Sequence, residues 1–210
     1  MRQYNIILLF LAFSLPCLAQ KSSNPGTDFG KYMATAKTSY KGNDLEDTHY
    51  QLLLSLQQLD MKVGEEILKI MPENMDSLKA LKDKDHVNAA SGTFIGTSIH
   101  REYGSKSNME VDIISNSPMV GALNAWLNNP MLAGASGKKA MKVDGYKGSY
   151  TYEMRDQYDD AGKSSKVGVG EMQIPIYSSL VTIKSKGISE DAFVKLMNTI
   201  PVSRIANMLK

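Results

Sequence analysis

The apolar residues of this chain change their spacing once, near residue 88, and that change limits its possible folds more than any other feature. Upstream they recur every three or four residues, which gathers side chains on one face of a helix. Downstream they alternate with polar residues, as in a strand with one face in a core. Phe29, Tyr32, Met33, Ala36 and Tyr40 share a helical face, which Lys41-Gly42 interrupts. Asn43, with Glu46 three residues on, reads as a capping pair. It opens a second helix bearing an apolar stripe of Leu45, Leu52, Leu53, Leu56 and Leu59. Gly64 predicts a bend and Pro72 a stop; Met75, Leu78 and Leu81 predict one more short helix. A helical segment over 28–81 follows, then a polar connector over 82–88 and a sheet domain over 89–210.

Within that domain, strands are expected near 93–103, 108–115, 140–143, 148–155, 166–174 and 179–184. Asn116-Ser117-Pro118 starts a helix through Leu127, since proline suits the first turn. Ser189 caps a helix through Ile200, and Pro201 opens a last turn or two. Gly170 reads as a bulge, where the apolar face passes from Val167 and Val169 to Met172 and Ile174. Consecutive strands with short links favour antiparallel pairing, and segregated helices favour an α+β fold. The expectation is an antiparallel sheet of about five or six strands packed with helices, preceded by an N-terminal helical hairpin.

The first 19 residues carry a different signal. Arg2 is followed by an apolar run from Ile6 to Leu15, then Pro16 and Cys17-Leu18-Ala19 before Gln20. A basic start, an apolar centre and small residues before the cut make a cleavable export signal, with cleavage between Ala19 and Gln20. The run is shorter than the roughly 20 apolar residues that span a bilayer. Residues 20–27 read as a flexible leader. Cys17 also raises an acylated lipoprotein, but Ser14 and Pro16 do not fit the residues such a signal wants before its cysteine, and soluble export is favoured. Periplasmic or secreted bacterial localisation is the expectation. Cys17 is the one cysteine of the chain, so cleavage leaves no thiol for disulfides, redox chemistry or zinc.

The remaining chemistry is read by what each motif lacks. The formal net charge is +2 and the lysines are dispersed, which argues against nucleic acid as a partner. No second apolar run reaches bilayer length, so no transmembrane span is expected in the mature chain. His49, His86 and His100 are far apart and form no metal-ligand spacing. The 13 methionines raise Cu(I) handling, but they fall singly at apolar positions. Asp156, Asp159 and Asp160 lack the third, sixth and twelfth positions of a calcium loop. Gly162-Lys163-Ser164 is the end of a phosphate loop without its first glycine. No nucleophile elbow is present. No catalytic, cofactor or metal residue is therefore assigned. Trp126, Tyr146, Tyr150 and Tyr152, with the sheet beneath them, are the candidate recognition surface.

Tyr32, Ala36 and the run from Tyr40 to Leu45 (YKGNDL) resemble one helix–turn–helix of a tetratricopeptide repeat, in a single copy. Asp144-Gly145-Tyr146-Lys147-Gly148, Asn198-Thr199-Ile200-Pro201-Val202 and Gln20 after the cut resemble uncharacterised exported bacterial proteins. Met172 to Ile200 resembles the close of PsbP-like α/β/α sandwiches. None of these resemblances carries a catalytic motif. The functional expectation is an exported soluble module that binds a protein or small-molecule partner. A hydrolase built from scattered Ser, His and Asp is the alternative, and copper handling the second.

Overall fold

Hydrogen bonding divides the computed structural model into five α-helices and nine strands over residues 27–89, 96–105, 108–129, 137–158, 162 and 164–210. The expected export signal and Ala19–Gln20 cleavage site, Cys17 and most of the expected leader lie outside the described residues, as do Asp159, Asp160 and Lys163. Helix α1 (Thr27–Lys41) and helix α2 (Leu45–Ile70) form the expected hairpin. Its cap falls one residue later than Asn43. Asn43 takes a left-handed φ of 56°, and the Asp44 carboxylate accepts from the Asp47 amide at 3.0 Å. Asn43 turns the chain, so Asp44 is left at the position where a side-chain oxygen reaches the first free amides.

Two short strands follow, β1 (Asn74–Met75) and β2 (Leu78–Lys79), paired antiparallel across Asp76-Ser77. The helix expected there does not form, because Asp76 at φ 54° supplies a tight turn instead. A 3₁₀ turn at Lys82–Lys84 leads to β3 (His86–Asn88). Then come β4 (Ser98–Tyr103), β5 (Met109–Ile114), α3 (Met119–Leu127), β6 (Lys139–Val143), β7 (Tyr146–Tyr158), β8 (Ser164–Ile176), β9 (Ser179–Lys186), α4 (Glu190–Met197) and α5 (Val202–Met208). The main sheet has seven antiparallel strands in the order β3-β4-β5-β9-β8-β7-β6. The extra strand is β3, three polar-flanked residues read from sequence as connector.

One sheet face carries Ile99, Tyr103, Met109, Val111, Ile113 and their neighbours into the main core. The second half of α2, with α4 and α5, covers it through Ile67, Phe193, Met197 and Ile205. The other face is mostly polar. Among the described residues, helix cover on this face comes at one end, where Val120, Leu123 and Leu127 of α3 meet Leu180, with Trp126 packed alongside.

Two glycines set how closely the layers approach. A Cβ at Gly64 would lie 2.4 Å from Val87 Cγ1, so α2 runs through Gly64 without a break and meets β3 there. A Cβ at Gly170 would lie 2.3 Å from Phe193 Cδ1. The register of β8 with β7 and β9 is continuous past Gly170, and no bulge forms. Val167 and Val169 belong to the polar face, Met172 and Ile174 to the core face. Between them the core face holds glycine, so that Phe193 can sit on the sheet.

Arg101 is the one charged side chain among the buried described residues, 4% exposed on the core face of β4. Its Nε donates to Asp85 Oδ1 at 2.9 Å and its Nη2 donates to Asp85 Oδ2. Its Nη1 donates to the carbonyl of Leu68 at 2.8 Å. A cation thereby meets the carbonyl end of α2, where unpaired acceptors and the helix dipole favour it.

Gly170→Ala should lower stability by about 1–3 kcal/mol through overpacking against Phe193. Gly121→Ala, with nothing within 4 Å of its added methyl in α3, should raise it slightly, by about 0.5–1 kcal/mol. Chemical denaturation of both variants checks the contrast. Arg101→Met should cost about 3–5 kcal/mol by stranding Asp85, and adding Asp85→Leu should recover most of that loss.

Candidate interaction surface

The sheet pairing brings residues together on the open face that sequence spacing kept apart. His86 pairs with His100, and His100 with Asp112. The two imidazoles stack with centroids 4.7 Å apart. His100 Nδ1 lies 2.6 Å from Asp112 Oδ1, and its Nε2 lies 3.3 Å from Glu102 Oε1. Lys184 donates to Asp112 Oδ2 at 2.9 Å, and Lys84 to Glu102 Oε2 at 2.6 Å. Burial alone would lower the His100 pKa, but its bonds to Asp112 and Glu102 outweigh this and hold it above 6.5. Burial raises Asp112, and its bonds to His100 and Lys184 more than reverse that.

This geometry bears on the chemistry considered from sequence. A general base needs one imidazole nitrogen free to take a proton. Both nitrogens of His100 face carboxylates, which favours the doubly protonated ring. Among the described residues, no serine is a hydrogen-bond partner of His100. Among the described residues, no group of three or more His, Cys, Asp or Glu is placed to hold a metal ion. His49 is exposed on α2, remote in the chain from the other two. Met71, Met75, Met109, Met172 and Met197 are buried in the main core as packing. Farther along the open face, Ser149, Thr151, Glu153, Arg155, Glu171 and their neighbours line a shallow hollow of about 250 Å³.

The four aromatic candidates do not converge. Tyr150 is 1% exposed on the core face, stacked 5.9 Å from Phe193, with its hydroxyl donating to Glu190 Oε1 at 3.2 Å. Tyr152 lies on the same face and donates to the carbonyl of Ile188 at 2.8 Å. Tyr146 is half-buried against the same core. Trp126 packs on the other face, with α3. The residues expected to form a recognition surface are thus divided between two cores. Alternation alone does not say which face of a strand is covered, and this sheet turns Tyr146, Tyr150 and Tyr152 inward.

Most of the exposed large apolar side chains among the described residues lie on the helical hairpin; Met119, Met154, Tyr158 and Tyr177 are exposed elsewhere. Leu45, Leu52, Leu56 and Leu59 of α2 are 40 to 61% exposed, and Phe29, Met33 and Tyr40 of α1 are exposed too. Helix α1 covers a different side of α2. Ala36 and Ser55 are buried, and the Ser39 hydroxyl donates to Asp47. Residues 48–59 of α2 (THYQLLLSLQQL) carry no charge, although solvated helix faces are normally charged. The leucines were visible in the sequence as a stripe; their exposure was not. No helix of the described residues is long and apolar enough to cross a membrane.

Comparison with models of known protein families, with curated proteins and with solved structures gives no match.

The raised pKa of His100 has a sign that can be tested. A group whose pKa is higher folded than unfolded stabilises fully below the unfolded value and loses that contribution as pH rises through the folded one. The melting temperature should therefore fall as pH is raised above 6.5, through the raised pKa of His100. His100→Gln should flatten that slope, as thermal melts across the range would record.

Proposed function

We propose that this chain is an exported, non-catalytic interaction module whose docking arm is the α1–α2 hairpin. The observation that carries this reading is the uncharged run of α2 with its exposed leucines. Water-facing leucines scattered singly need no explanation, but a contiguous apolar stripe on a projecting helix is a contact surface. The second half of the same helix is held by the sheet core, so the arm is presented from a rigid base. The basic and apolar leader supports delivery outside the cytoplasm, into the periplasm or beyond. There the mature chain, free of cysteine, relies on its core and on the Arg101–Asp85 pair rather than on disulfides.

Incorporation of a photo-reactive amino acid at Leu52 or Leu56 tests the arm in cells. Irradiation should give a covalent protein adduct at both positions, and none at exposed Lys142 on β6. Absence of any adduct at the arm positions would remove the reading. Mass analysis of the recovered chain should place its first residue at Gln20.

A further inference from the structure

Leu45, His49, Leu52, Leu56, Leu59 and Val63 follow one another at intervals of four, three, four, three and four residues along α2. That is the seam of a coiled coil, in which alternating steps keep one line of side chains facing a partner helix. The seam is distinct from the side that α1 covers. It stays exposed from Leu45 to Leu59 and becomes half-buried at Val63.

The seam is also nearly palindromic. Laid antiparallel on itself about residue 54, Leu45 meets Val63, His49 meets Leu59, and Leu52 meets Leu56. A two-fold axis requires this kind of self-complementarity, since each contact must occur twice. The uncharged run 48–59 is centred on nearly the same point, so it would lie against itself. A parallel pair would stack the acidic first turns, Asp44, Glu46 and Asp47, on one another. The antiparallel pair avoids this and opposes the two helix dipoles. It sets each acidic turn beside a Lys62 already paired with Glu65 and Glu66 of its own helix, so the direction is carried by the palindrome and the dipoles. The far end of the seam borders a cavity of about 300 Å³ whose wall mixes apolar Leu59, Val63 and Met208 with polar Asp60, Ser115 and Asn116, near where the partner's Leu45 would fall.

We propose that the partner of the arm is a second copy of this chain, joined as a two-fold antiparallel pair of α2 helices with Leu52 on Leu56 at the centre. The proposal rests on the docking-arm reading above and names its occupant. The seam runs about 27 Å at 1.5 Å rise per residue, which is short for an interface and gives a reversible, micromolar-class dimer.

Sedimentation velocity on the mature chain from about 1 µM to about 200 µM should show monomer passing to dimer with concentration. Leu52→Glu and Leu56→Lys should each weaken the dimer by at least about tenfold, because each buries a lone charge in the seam. Both positions are exposed in the monomer, so circular dichroism should be unchanged. Mixing the two variants should restore the dimer. In the antiparallel register the carboxylate introduced in one chain meets the ammonium introduced in the other, and the second central layer stays Leu–Leu. A wild-type chain that stays monomeric at every concentration would overturn the proposal, as would variants that still dimerise. A mixture that stays monomeric would overturn the antiparallel register. The photo-adducts separate this failure from that of the arm itself: a product of twice the chain mass supports the second copy. A product of another mass keeps the arm and removes the second copy, and no product removes both.

Discussion

The Arg101 guanidinium organises more of this fold than any other single group. A buried cation is tolerated only where its hydrogen bonds are met, and Arg101 meets them by drawing two separate segments to β4. Asp85 brings in the turn before β3, and the Leu68 carbonyl brings in the end of α2. The position of α2 over the sheet follows, with Gly64 letting the helix come down onto Val87 and Ile99. Because the second half of α2 is held this way, its first half has no strand of the described residues beneath its exposed leucines. The exposed arm is a consequence of where the helix is pinned.

The two sheet faces differ in the same logical way. One face gathers its aliphatic and aromatic residues under α2, α4 and α5, and Gly170 makes room for the Phe193 ring. The other face holds a chain of charge-assisted hydrogen bonds running from Lys84 through Glu102, His100 and Asp112 to Lys184. Every charge in that chain has an opposite neighbour. The hairpin differs because its exposed apolar surface has no such internal compensation. That contrast is why the arm, rather than the sheet, is the surface we propose for docking.

Periodicity made the helical hairpin, the six longer strands and the antiparallel arrangement legible, because it reflects which residues share a face. It was silent on β3, whose three residues are too few to show alternation. It misread Met75 and Leu78, whose spacing suits a helix but whose Asp76-Ser77 link makes a tight turn. It also misread Gly64 and Gly170 as places where the backbone must bend. Both are places where another side chain must come close. The approaching Val87 and Phe193 lie well downstream of their glycines, beyond the reach of any local pattern. The tyrosines of β7 were misassigned for a related reason, since a strand pattern distinguishes two faces without naming the covered one.

The sequence by itself determined most of the elements, their order, and the absence of cysteine from the chain after Ala19. These are local properties, set by spacing and residue type within short windows. Only the tertiary structure decided that Tyr150 and Tyr152 are core, that His86, His100, Asp112 and Lys184 are neighbours, and that the α2 leucines face outward. Each of these depends on which layer lies above a given face. That is fixed by long-range contacts such as Arg101 to Asp85 and Leu68, whose partners no local pattern identifies.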